Sequence, residues 1–187
     1  MKTARLKLRQ QTGWTLTEMA VVVAILAVTL GIAVPSWIRT IDGIRLSTLT
    51  NGLMAELNLA RAEAIRRGER VVICAAANAN ACSNALGWDQ GSIMFEDANN
   101  NGVRDVSEPV IRVSPAAPFG WSIRGNGPVS RYVSYHPMGG TLTVNGAFQA
   151  GSITLCRASA QSTSGRQIVI NSLGRPRSQR IDLLNCG

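Results

Sequence analysis

The residues of this chain best suited to hold a ligand are Gly174-Arg175-Pro176-Arg177, with Arg180 three positions further on. Gly174 frees the backbone to turn, while Pro176 fixes its own φ and restrains Arg175 to an extended conformation. Two guanidinium groups splayed from a stiff segment need gain little order on binding, and each can grip phosphate oxygens with two hydrogen bonds. Neutralised phosphates release counterions, which gives affinity that is sensitive to salt and indifferent to sequence. The competing reading is a solvated turn whose arginines serve solubility. Arg124, Arg131, Arg157 and Arg166 are further cations in the same third of the chain, and the sequence does not place them.

Three other groups invite chemistry. Asp97, Asn99, Asn101, Gly102, Asp105 and Glu108 fit the spacing of a twelve-residue calcium loop, with oxygen ligands at positions one, three, five and twelve. Both flanks read as strands, where that loop needs helices, and Asn and Gly also make an ordinary turn. A turn is therefore favoured, no metal is assigned, and the five oxygen-bearing residues remain the calcium alternative. Cys74, Cys82, Cys156 and Cys186 form an even set, which in an oxidising compartment reads as two disulfides. Three pairings are possible, and local loops favour Cys74–Cys82 with Cys156–Cys186. His136 is the only histidine and nothing suggests an acid to orient it or a nucleophile beside it, so no catalytic triad is indicated. Trp88, Trp121, Tyr132 and Tyr135 are candidate base-stacking platforms, but aromatics on strands usually belong to a core. No cofactor is implied.

Charge is unevenly spread. The net charge is +8, from 19 basic and 11 acidic residues. Residues 71–119 hold two arginines against five acids, whereas residues 120–187 hold seven arginines against Asp182 alone. A +6 surface favours polyanions or anionic lipid, although solvated strands in an arginine-rich chain have the same composition.

The elements that would position these groups are legible in part. Leu46, Leu49, Leu53, Leu57, Ala60 and Ala64 step by three or four and define one face of a helix, which Gly68 ends. Strands are expected near Val71–Ala75, Ser92–Phe95, Val110–Val113, Trp121–Arg124, Tyr132–Tyr135, Thr141–Val144, Ser152–Arg157, Gln167–Asn171 and Ile181–Leu184. Asn145-Gly146 signals a hairpin turn.

At the other end, four basic residues (Lys2, Arg5, Lys7, Arg9) precede a charge-free apolar run from Met19 to Ile38. Twenty helical residues at about 1.5 Å each span roughly 30 Å, a bilayer core. A cleaved secretory signal is a poor fit, because Pro35 follows directly on the small-residue site Ala33-Val34. A plain anchor leaves Glu18 unexplained, since a lone carboxylate is costly there. The box Gly13-Trp14-Thr15-Leu16-Thr17-Glu18 resembles the prepilin cleavage motif of type IV pilins and pseudopilins. The resemblance implies that a prepilin peptidase cuts after Gly13 and that Trp14, in place of the usual phenylalanine, becomes the methylated N-terminus. It also implies that Glu18 pairs with the N-terminal amine of a neighbouring subunit, and that Pro35 takes the place of a helix-kinking proline. The domains expected are a leader (1–13), a membrane-spanning half-helix (14–38) and a globular domain (39–187) that includes the amphipathic half-helix to about residue 67.

Leu155-Cys156-Arg157, the strand Ile168-Val169-Ile170 and Gly174-Arg175-Pro176-Arg177 are together similar to the FimT/GspH-type minor pilins and pseudopilins. That resemblance implies an α+β, type IV pilin-like fold, with a long N-terminal helix packed on antiparallel sheet. It implies an inner-membrane, single-pass protein with a periplasmic C-terminal domain, assembled with other pilin subunits into a pilus or pseudopilus. The G-R-x-R segment matches that of the FimT group, which implies binding of double-stranded DNA during natural transformation. A type II secretion pseudopilin or a pilus-priming minor pilin without DNA binding is the alternative. A membrane-anchored enzyme has no catalytic constellation behind it.

Overall fold

The computed structural model describes residues 13–78, 80–83, 87–159 and 162–186. The leader residues Lys2, Arg5, Lys7 and Arg9 lie outside them, as does part of the loop expected from Asn78 to Leu86. Helix α1 runs without interruption from Leu16 to Arg67, through position 35. Its start is set by Thr15, whose hydroxyl accepts the Glu18 backbone N–H at 3.3 Å. Thr15 and Glu18 thus stand three apart, in the spacing of a capping box. Its end is set by Gly68, which adopts φ +71° and donates to the Ala64 carbonyl, a left-handed stop that suits glycine.

The chain divides into two units, one to Ile41 and one from Asp42. In the first unit the apolar side chains among the described residues are all exposed, and the helix is long and apolar enough to cross a membrane. Two of its hydroxyls return to its own backbone: Thr29 donates to the Ile25 carbonyl and Thr40 to that of Ser36.

Among its described residues the second unit holds the remainder of α1 and eight strands: β1 (Val71–Ala75), β2 (Ser92–Glu96), β3 (Val110–Ser114), β4 (Trp121–Gly125), β5 (Tyr132–Tyr135), β6 (Gly151–Arg157), β7 (Thr163–Ile170) and β8 (Pro176–Leu183). They form two antiparallel sheets in the orders β3-β2-β1-β5 and β4-β6-β7-β8. The expected α+β layout is present. Leu46, Leu53, Leu57, Ala60 and Ala64 of α1 are buried in one core with Ile73, Met94, Val133 and Tyr135 of the first sheet and Ile123, Ile153, Leu155 and Ile168 of the second. A smaller cluster of Val72, Cys74, Ile93 and Phe95 covers the first sheet's other face. Strand β1 is buried at every position because apolar groups lie against both of its faces.

Two expectations about strands need correction. Thr141–Val144 is not a strand. Thr141 and Leu142 make only isolated bridges, to Tyr135 and Phe148. The side chain of Gln149 explains this: its amide oxygen accepts the Ser134 N–H and its NH2 donates to the Pro128 and Tyr132 carbonyls. A buried side chain thereby takes a backbone partner that a strand would have supplied. The turn at Asn145-Gly146 is present, with Gly146 at φ +79°. Secondly, the last strand begins at Pro176 and not near Ile181, so Arg177 and Arg180 belong to a strand. Pro176 is tolerated because β8 is an edge strand and Pro176 is its first residue.

Candidate nucleic-acid interface

The β7–β8 connection starts at Asn171, whose backbone carbonyl accepts the Gly174 N–H at 2.9 Å and whose side chain accepts the Arg175 N–H at 3.0 Å. Gly174 sits in this turn at φ +72°, and a Cβ there would collide with the Gly139 carbonyl oxygen and stand 3.0 Å from the Tyr135 ring. Glycine is required twice over, by conformation and by close approach. The turn is fastened to the loop after β5: Thr141 donates its N–H to Ser172 and its hydroxyl to the Gln149 and Asn171 carbonyls. That loop is tied in turn to α1, since Arg61 Nε donates to the Gly139 carbonyl at 2.8 Å. Burial beneath it pushes the Tyr135 phenol up. The arginines therefore project from a turn anchored to the core.

Arg175, Arg177 and Arg180 are all exposed. They do not share one face. Arg177 lies opposite Val169 and shares one side of the sheet with Gln179, whereas Arg180 lies opposite Arg166 on the side that carries the buried Ile168. Among the described residues, none of Arg131, Arg166, Arg175, Arg177 and Arg180 has a carboxylate within 4 Å. Arg124 and Arg157, by contrast, are neutralised by Asp89 and Asp42. Opposition of Arg166 and Arg180 was not read from the sequence, because it depends on a register that the string leaves open.

At the end of α1, Arg66 and Arg67 are used for structure. Glu63 accepts from Arg66 and Arg67, and Arg67 also reaches Glu96 of β2 at 2.8 Å. The bonds from Arg66 and then Arg67 lower the Glu63 pKa to about 2, and Glu63 in turn raises that of Arg67.

The loop Asp97–Glu108 closes on itself. Asp97 accepts the Asn101 and Gly102 N–H groups, Glu108 accepts those of Ala98 and Asp105, and both Asn99 and Asn101 donate to Asp105. Among the described residues no set of three His, Cys, Asp or Glu side chains is disposed to hold a metal ion. Disulfides join Cys74 to Cys82 and Cys156 to Cys186. His136 follows β5 and accepts the Met138 N–H in a turn. Trp88, Trp121 and Tyr135 are buried and Tyr132 is half-buried, so none of the four offers a free stacking face. Gly13, Trp14 and Glu18 are exposed ahead of or within the first turn of α1.

A family model described as type II transport protein GspH matches residues 49–174. The chain belongs to the GspH family. The match covers most of the second unit and stops at Gly174, so Arg175, Arg177 and Arg180 lie beyond the matched residues. Two crystal structures of the type IV minor pilin FimU of Pseudomonas aeruginosa share the fold. One has a TM-score of 0.58 at 16% identity, over 78% of this chain and 98% of FimU. The other has a TM-score of 0.55 at 17% identity, over 76% of this chain and 100% of FimU. No curated protein matches the chain. Membership of the GspH family makes this a pilin-type structural subunit that associates with other pilin subunits, and its apolar N-terminal helix is consistent with a membrane-anchored component of a pilus or pseudopilus.

Proposed function

We propose that this chain is a minor type IV pilin that binds double-stranded DNA, without regard to sequence, during natural transformation. Arg175 and Arg177 hold the phosphates, and Arg180 adds charge from the other face of β8. The observation that carries this reading is that Arg175 and Arg177 on the anchored turn, with Arg180 beyond it, are exposed and have no carboxylate within 4 Å among the described residues, whereas Arg66, Arg67, Arg124 and Arg157 are each paired with an acid. Unpaired guanidinium groups on a rigid support are free to neutralise phosphate, and little conformational freedom is lost when they do. Within the same reading a prepilin peptidase removes residues 1–13, Trp14 is methylated, Glu18 pairs with a neighbouring N-terminal amine, and residues 14–38 span the inner membrane before assembly, with the remainder in the periplasm.

The test is a titration of the full chain, oxidised and in a maltoside detergent, against labelled duplex DNA at several salt concentrations, beside Arg175→Ala/Arg177→Ala. Wild type is expected to bind unrelated duplexes alike. The variant should bind at least about tenfold more weakly and lower the log–log salt slope by about two, one unit per lost phosphate contact. Equal binding by the two proteins would sink the proposal. The family description favours a second reading, a type II secretion pseudopilin or pilus-priming subunit that does not bind DNA, and absence of binding even at low salt would leave that one standing.

A further inference from the structure

We infer that Arg166, Arg180 and Ser47 form a seat for a single phosphate group, separate from the turn that carries Arg175 and Arg177. Arg166 and Arg180 face each other directly across the β7–β8 pair. Cβ atoms in such a pair are about 5 Å apart, and like charges so placed repel. Neither arginine has a carboxylate within 4 Å among the described residues. Arg166 is half-buried beside the core and directs its guanidinium at α1, where it donates to Ser47 Oγ at 3.3 Å.

Both arginines line a groove of about 360 Å³ between α1 and the β7–β8 hairpin, together with Gly43, Ser47, Ser164 and Asp182. Gly43 leaves the helix side open, since a Cβ there would meet nothing within 4 Å. Donors thus converge from β7, β8 and α1. A tetrahedral oxyanion offers oxygens in three directions and satisfies all three, whereas a planar carboxylate offers two. The anion also removes the repulsion between the guanidinium groups. Ser47 accepts from Arg166 and keeps its own hydrogen for the third oxygen. Asp182, opposite Ser164, is the one carboxylate among the described residues that lines the groove, and it limits affinity without cancelling two arginines. The phosphate can belong to free phosphate, a nucleic acid or a lipid headgroup. The seat requires no DNA binding at the turn.

The experiment follows the arginine Nε–H signals of the full chain in maltoside detergent while inorganic phosphate is added. Arg166 and Arg180 should shift together and saturate. Arg180→Gln should weaken binding about tenfold, and Asp182→Asn should tighten it roughly threefold. Arg175→Ala/Arg177→Ala should leave it unchanged, which separates this result from that of the DNA titration. Competition by a short duplex or by soluble dihexanoyl phosphatidylglycerol would support the seat and identify its source. A seat used only by free phosphate is the outcome if phosphate saturates and neither competes. Unsaturable shifts, wild-type affinity in Arg180→Gln, weaker binding in Asp182→Asn, or acetate competing as well as phosphate would each overturn the inference.

Discussion

At Gly174 a methyl group would meet the Gly139 carbonyl oxygen and the Tyr135 ring, in a backbone with φ +72°. Gly174→Ala is expected to cost about 2 kcal/mol, from left-handed strain plus overpacking, and to lower Tm by several degrees in a thermal melt. A melt indistinguishable from wild type would mean that the turn is not anchored as described. The need for glycine was readable in the sequence, but only as freedom to turn. The close approach was not readable, because Gly139 and Tyr135 are brought there by a loop whose hydrogen bonds run through Gln149 and Thr141. The same limit applies to Arg180: its exposure follows from its type, while its pairing with Arg166 follows from strand register.

Among the elements, the helix was the most legible. Five of the six apolar positions expected on its inner face are buried, and Leu49 is partly so. Its end at Gly68 follows from glycine's access to positive φ. Strand β8 was the least legible, because Pro176 and three charged residues obscure the alternation that an edge strand keeps only weakly. The end of α1 carries a pH dependence of its own. Glu63 has a folded pKa of about 2 against an ordinary 4.5, so it stabilises the fold above the ordinary value, and that contribution is lost as pH falls from 4.5 towards 2. Because the bridge is at the surface and screened, the loss should be about 0.5–1 kcal/mol. Glu63→Gln should lack this component: wild type and variant should differ in Tm at pH 6 and converge near pH 2. A constant difference across that range would show that the network does not hold the helix end.

For the molecule as a whole, the two disulfides close loops of different length, with separations of 8 and 30 residues. On a chain-entropy account, loss of Cys156–Cys186 costs about 3–4 kcal/mol and loss of Cys74–Cys82 about 2–3 kcal/mol. Urea titrations of Cys186→Ser and Cys82→Ser should rank in that order by midpoint. The reverse order would indicate that tethering of the tail is not what the longer bridge supplies. Which cysteines pair was favoured from loop length alone, and the structure gives it a setting: Cys156 lies in β6, and Cys186 follows β8 in a bridge with Ser159.

That setting governs how the sheet would answer a pull on Arg177. An edge strand fails most easily by peeling, one hydrogen bond after another, from a free end. Strand β8 has no free end: the anchored turn joins it to β7, and the Cys156–Cys186 bond joins the residues beyond it to β6. Tension on a ligand at the turn is therefore carried at both ends of the strand, and into a central strand through a covalent link. Rupture then requires shearing the whole ladder at once, so the grip on the ligand should give way before the hairpin does.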